Sequence, residues 1–101
     1  MSHEHYIGTE WSDEQIIGTL LKDKLDIKAT IALVSKYKLK LEETARHNLG
    51  LRGDRVDTAV KNGLQKAIFN IKERPSKTSL FDWVNDHVAK AAATICAYSP
   101  V

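Results

Sequence analysis

The sequence predicts an all-α domain, a single compact bundle of four helices. Apolar residues recur at helical spacing in four segments, and no alternating pattern of strand type lasts more than a few residues. Glycine and proline are scarce, five and two in 101 residues, and we expect them to mark helix ends rather than helix interiors. A chain of this length forms one domain with one core.

The first two helices are delimited by capping signals. Ser12 opens a capping-box pattern with Gln15, so we expect the first helix to follow it and to end near Leu25. The second helix is expected from about Ile27 to Leu49, ahead of two glycines that stop it. Its predicted buried stripe consists of Ile31, Val34, Tyr37, Leu41, Ala45 and Leu49.

The last two helices are separated by the segment Arg74-Pro75-Ser76-Lys77. The third is expected to start near Asp54, an acidic residue suited to a helix N-terminus. The fourth is expected to open at Ser79, whose hydroxyl can cap it. Their predicted buried residues are Val56, Val60, Leu64, Ala67 and Ile71 in the third helix and Leu80, Val84, Val88, Ala91 and Ile95 in the fourth. The domain therefore spans 12–97, between a flexible N-terminal tail at 1–11 and a C-terminal tail at 98–101.

Composition narrows the class of protein. The net charge is only +2, but residues 1–26 carry six acids and two lysines, whereas the remainder carries thirteen bases and seven acids. A basic body is compatible with nucleic acid, although an ordinary solvated surface explains it equally well. A single cysteine excludes an intramolecular disulfide, and neither a signal peptide nor a long apolar run is present. We expect a cytoplasmic protein that does not contact membranes.

Residues for catalysis are lacking. His3 and His5 form an HxH in the predicted flexible tail, whereas His47 and His87 are far from them and from each other in the sequence. No nucleophile has a base and an acid at a suggestive spacing. The segment GLRGDR lacks the GK[ST] of a P-loop. We therefore predict a binding protein, not an enzyme, without cofactor or metal.

Four segments in order resemble the region 2 domain of extracytoplasmic-function sigma factors, the small bacterial transcription initiation subunits. They are SDEQIIGTLLKDKLD, YKLKLEETARHNLG, TAVKNGLQKAIFNI and TSLFDWVNDHVAKAA, and the resemblance covers about 12–97. It implies that the third helix docks on the β′ coiled-coil of core RNA polymerase. It also implies that the following loop and the fourth helix hold the melted −10 promoter strand.

Carried onto this sequence, the resemblance assigns two sets of residues. The polymerase-binding set is Thr58, Lys61, Asn62 and Gln65. The DNA-binding set is Arg74, Ser76, Lys77, Thr78, Ser79, Asn85 and Lys90, with Asp82 and Asp86 on the same helix. Cations and hydroxyls ahead of a helix N-terminus are suited to phosphate contacts.

The sequence departs from the family on both surfaces. The family prefers acidic or glutamine residues at the positions of Thr58, Lys61 and Asn62. Lys61 carries a positive charge and therefore reverses the charge that an acidic residue has there. It commonly has an aromatic residue and an arginine at Asn85 and Asp86, where an aspartate repels phosphate.

Three functions therefore stay open. The leading one is a sigma-like protein that binds core polymerase and the −10 strand. The second is a sigma mimic, a protein-interaction module that engages an anti-sigma factor or another helical regulator without touching DNA. The third is a phage or mobile-element protein with no tie to transcription.

At Trp83, a structural anchor is favoured over base stacking. Near the middle of the second helix, Lys36 and Lys40 are either solvated or available for phosphate.

Overall fold

The computed structural model describes residues 11–97, and the fold class predicted from the sequence is confirmed over that range. Four helices follow one another: α1 (Asp13–Lys22), α2 (Ile27–Asn48), α3 (Asp54–Phe69) and α4 (Leu80–Ala97). A 3₁₀ turn, Ile71–Glu73, extends α3. No strand occurs between residues 11 and 97. Except for Trp11, the predicted tails lie outside this range, and so do His3 and His5.

The predicted caps of α1 and α4 are present. The Ser12 hydroxyl accepts from the Gln15 backbone N–H at 3.1 Å, and the Gln15 side chain accepts from the Ser12 N–H at 2.9 Å. The Ser79 hydroxyl accepts from the Asp82 N–H at 3.1 Å. Each oxygen satisfies a donor that the first helical turn leaves unpaired. Trp11, the last residue of the predicted tail and the residue expected to pack on the first helix as a staple, lies half-buried against the core.

The first helix stops three residues before its predicted end. Asp23 is extended, and its carboxylate accepts the Leu25 N–H at 2.9 Å, which closes a turn. Three residues later the Asp26 carboxylate accepts the Ala29 N–H at 2.9 Å and caps α2. Two aspartates thus separate helices whose apolar pattern runs on almost without interruption.

All four helices contribute buried residues to one core. The most extensive helix pair is α3 with α4, and α2 packs across both. All five predicted core positions of α3 are buried, as are the first three of α4. The prediction fails at Ile31, which is 53% exposed. Leu33 is buried instead, and residues two apart on a helix point about 200° away from each other.

The expectation that glycines avoid helix interiors is wrong at two positions. Gly18 lies within α1 and Gly63 within α3. Gly63 is buried where α3 crosses α4. The two glycines after α2 fulfil the prediction, since Gly50 and Gly53 have φ of 68° and 60°, a region that side chains disfavour.

Candidate functional site

The predicted polymerase-binding residues lie together on α3. Thr58, Lys61, Asn62 and Gln65 occupy positions i, i+3, i+4 and i+7, and all four are exposed. This spacing places them on one side of a helix, and we call this surface the α3 face. Phe69, four residues beyond Gln65, continues it with a ring that is 65% exposed.

A groove of about 310 Å³ runs beside the α3 face, between α2 and α3. Its apolar lining residues are Val34, Val60, Leu64 and Ile68. Its polar lining residues are Thr30, Lys38, Asp57, Lys61 and Gln65. Lys61 and Gln65 thus belong both to the face and to the groove, so a partner on the α3 face also meets apolar surface.

The loop between the 3₁₀ turn and α4 is held by Arg74. Its guanidinium donates to the Pro75 carbonyl at 3.2 Å and to the Thr78 carbonyl. The Thr78 N–H in turn donates to the Pro75 carbonyl at 3.0 Å and closes a turn. Arg74 therefore acts within the loop, and Ser79 is occupied as the cap of α4. Ser76 and Lys77 are exposed at the loop surface.

The polar residues of α4 fall on two sides of the helix. Lys90 pairs with Asp86 at 3.2 Å, both largely exposed. Asn85 precedes Lys90 by five residues, which separates them by about 140° around the helix axis. Its Oδ1 is buried, and the described part of the chain offers it no hydrogen-bond donor. The predicted DNA-binding residues of α4 therefore do not form one surface.

A cleft does form where the loop meets α4. Its lining residues are Pro75, Lys77, Thr78, Asp82, Trp83 and Asp86. It combines an aromatic side chain and one lysine with two carboxylates. The lysine and the aromatic ring suit a nucleic-acid strand, whereas the carboxylates oppose its phosphates.

The preference for Trp83 as an anchor is confirmed. Its indole N–H donates to the Ala67 carbonyl at 3.0 Å, near the end of α3 where carbonyls lack helical partners. His87 packs edge-on against Trp83 with ring centroids 4.4 Å apart, and only 7% of His87 is exposed. The His87 Nδ1 lies 2.9 Å from the Trp83 carbonyl. Trp83 thus joins α3 to α4.

Lys36 is likewise committed to the fold. Its ammonium donates to Asp13 at 2.8 Å and to the Trp11 carbonyl at 3.1 Å. The Tyr37 hydroxyl donates to both oxygens of Asp13, at 2.8 and 3.0 Å. Burial, followed by the hydrogen bond to the charged Asp13, raises the pKa of Tyr37 to about 12. Lys40 lies over the Phe81 ring, 4.4 Å from its centroid.

Sequence reasoning missed an exposed apolar surface at the start of α2. Ile27 is 72% exposed and Ile31 is 53% exposed, although both fit a helical stripe. Nearby, Leu21, Leu25 and Phe69 line a hollow beside the α1–α2 turn. Lys24 stands over the Phe69 ring at 3.7 Å. The available signal was the excess of apolar residues in this region over what one core-facing stripe requires.

Comparisons with known proteins add no relative. No protein-family model matches the chain, and neither curated proteins nor solved structures give a significant match. The sigma region 2 resemblance therefore stays a prediction from sequence landmarks. Within residues 11–97, no helix has the length and apolar character needed to cross a bilayer. The same range contains no group of three or more histidine, cysteine, aspartate or glutamate side chains able to hold a metal ion.

Proposed function

We propose that this chain is a sigma region 2-like protein-interaction module that acts in transcription by binding another protein through the α3 face. The observation that carries the proposal is the exposure of all four predicted residues on one side of α3, next to an apolar groove. Protein-binding sites commonly combine apolar contact surface with a polar surround. The candidate partners are the β′ coiled-coil of core RNA polymerase and an anti-sigma factor or other helical regulator.

Charge supports protein binding over DNA binding. Gripping a melted strand needs several cations directed at the phosphates. Arg74 is bonded within its own loop, and Lys90 is paired with Asp86. Of the three cations in the predicted DNA-binding set, only Lys77 has no hydrogen bond or ion pair within residues 11–97.

Binding of the melted −10 strand is the second candidate, and the cleft beside Trp83 supports it. Lys77 and Thr78 line this cleft ahead of the N-terminus of α4, where a phosphate meets a favourable helix dipole. Asp82 and Asp86 line the same cleft. Any strand bound there therefore depends heavily on Lys77.

The test is retention by purified core RNA polymerase, followed by affinity purification of the tagged full chain from its native cell. We expect either co-elution with polymerase or recovery of a small helical regulator. Lys61→Glu restores the sign that the family prefers, so it strengthens retention if the basic β′ coiled-coil is the partner. Glu43→Lys, at an exposed position of α2, is the control and leaves retention unchanged.

The outcomes separate the candidates. Recovery of neither polymerase subunits nor a transcription regulator argues against the proposed function. Salt-sensitive binding of single-stranded −10 DNA that is weakened by Lys77→Ala makes DNA binding the leading candidate.

A further inference from the structure

We propose that the groove between α2 and α3 docks an acidic amphipathic helix of a partner protein. This inference rests on the proposed protein-binding function and specifies the chemistry of the partner. The occupant it names is a helix with apolar residues on one side and carboxylates flanking them.

Apolar surface on α2 continues the lining of the groove. Ile27, Ile31 and Val34 stand at positions i, i+4 and i+7, which share one side of α2. Val34 lines the groove, and the two isoleucines extend that surface toward the helix N-terminus while largely exposed to water. Large apolar side chains clustered at an exposed surface are typical of interaction sites.

The surroundings of this apolar surface are basic. The groove and the neighbouring hollow at the α1–α2 turn are lined by five lysines, namely Lys22, Lys24, Lys38, Lys61 and Lys72. The aspartates that line them are Asp23 and Asp57, and the Asp23 carboxylate already accepts the Leu25 N–H. The groove itself has two lysines and one aspartate, and the hollow has three lysines and one aspartate, so the two together have an excess of three positive charges.

Four of these five lysines form no ion pair within residues 11–97, and one of the four, Lys24, stands over the Phe69 ring. The ion pairs within residues 11–97 use Lys36, Lys38, Arg46 and Lys90 as their cations. Lys38 contacts Glu42 only at 3.9 Å. Carboxylates of a docked helix therefore gain attraction without displacing a strong internal pair.

The dimensions suit a short helix. The α3 residues that line the groove run from Asp57 to Ile68, a span of about 16 Å at the helical rise of ~1.5 Å per residue. A helix of about three turns matches this length and presents apolar anchors at i, i+4 and i+7. A second copy of this chain is disfavoured, because its own lysines would face those of the first copy.

The test uses two synthetic peptides with leucines at identical helical anchor positions. One carries glutamate and the other lysine at the flanking positions, and each is titrated onto the full chain by fluorescence anisotropy. We expect the glutamate peptide to bind more tightly by about tenfold or more, and its affinity to fall as salt increases. Equal affinities of the two peptides, or binding of neither, would overturn the proposal.

Matched variants locate the binding site. Ile31→Asp places a charge on the groove side of α2 and abolishes peptide binding, whereas Leu39→Asp makes the same change at a position that is 80% exposed. Leu39 lies about 140° around α2 from Val34, so its variant retains binding. Circular dichroism checks that both variants fold. Equal loss in both variants rejects the groove, and self-association that Ile31→Asp abolishes assigns it to a second copy.

Lys61→Glu separates this inference from the proposed function. This variant is expected to weaken binding of the glutamate peptide, whereas it strengthens binding of a basic β′ coiled-coil. Peptide binding without recovery of polymerase or a regulator supports the groove and argues against a transcription role. Polymerase retention without peptide binding supports the role and rejects the acidic helix.

Discussion

Gly63 of α3 lies directly against the backbone of Val88 in α4. A Cβ placed on Gly63 would stand 2.5 Å from the Val88 Cα and 2.6 Å from its backbone nitrogen. Because a backbone cannot turn aside as a side chain can, α3 and α4 approach this closely only with glycine at position 63. The crossing positions the α3 face relative to α4.

Gly63→Ala is therefore expected to destabilise the protein, although alanine favours a helix over glycine by about 1 kcal/mol. Forcing the helices apart costs about 1–3 kcal/mol or more, which outweighs that gain. Gly18→Ala in α1 is the control, because nothing lies within 4 Å of its added Cβ, and it is expected to stabilise. Urea denaturation measures both variants, and stabilisation by Gly63→Ala would contradict the close crossing.

Trp83→Phe is expected to lower the free energy of unfolding by about 1–2 kcal/mol, because the Ala67 carbonyl loses its indole donor. The phenyl ring keeps an aromatic side chain against His87. Trp11→Phe serves as the comparison, since the Trp11 indole has no hydrogen bond to the described residues, and its loss is smaller. Equal losses of unfolding free energy in the two variants, measured by denaturant titration, would contradict the anchoring role of Trp83.

The raised pKa of Tyr37 predicts that the stability of the fold depends on pH. Its pKa rises from 10.0 to about 12 on folding, so folding favours the protonated phenol. The stability that Tyr37 contributes is therefore complete below pH 10.0 and is lost as the pH rises toward about 12. Thermal unfolding of wild type and Tyr37→Phe across this range should show a stability difference that shrinks with pH. Ultraviolet titration should assign a tyrosinate midpoint near 12 to the residue missing in Tyr37→Phe.

The two loop glycines are expected to differ in tolerance. Gly53 has φ 60° and ψ −137°, a conformation that is essentially confined to glycine, so Gly53→Ala costs about 1–3 kcal/mol. Gly50 has φ 68°, and we expect Gly50→Asn to be milder because asparagine tolerates the left-handed region at a helix end. Denaturant midpoints of the two variants provide the measurement. A smaller loss for Gly53→Ala would show that the loop can reorganise.

Lys77→Ala tests the second candidate function at the one cation of the predicted DNA-binding set that has no hydrogen bond or ion pair within residues 11–97. If single-stranded DNA binds in the cleft beside Trp83, this variant weakens it and reduces the salt slope by about one. Lys28→Ala, at an exposed position of α2, is the control and leaves the slope unchanged. An unaltered slope in Lys77→Ala places any DNA elsewhere on the protein.

The sequence by itself determined the four helices, most of the core and the caps that begin α1 and α4. Hydrophobic periodicity located Val56, Val60 and Leu64 in the core because these positions repeat on one side of a single helix. The caps at Ser12 and Ser79 were predictable for the same reason, since each involves residues only three apart. The position of Thr58, Lys61, Asn62 and Gln65 on a common side of α3 likewise follows from the spacing within one helix.

Tertiary structure alone decided which apolar and charged residues remain available to a partner. Ile31 fits a buried stripe, yet the neighbouring helices cover Leu33 and leave Ile31 exposed. From the sequence, Arg74 and Lys36 are candidate phosphate-binding cations. In the folded chain, however, Arg74 bonds within its own loop and Lys36 bonds Asp13 where α1 packs on α2. Local spacing fixes the side of a helix on which a residue lies, whereas the packing of other helices fixes whether that side meets protein or water.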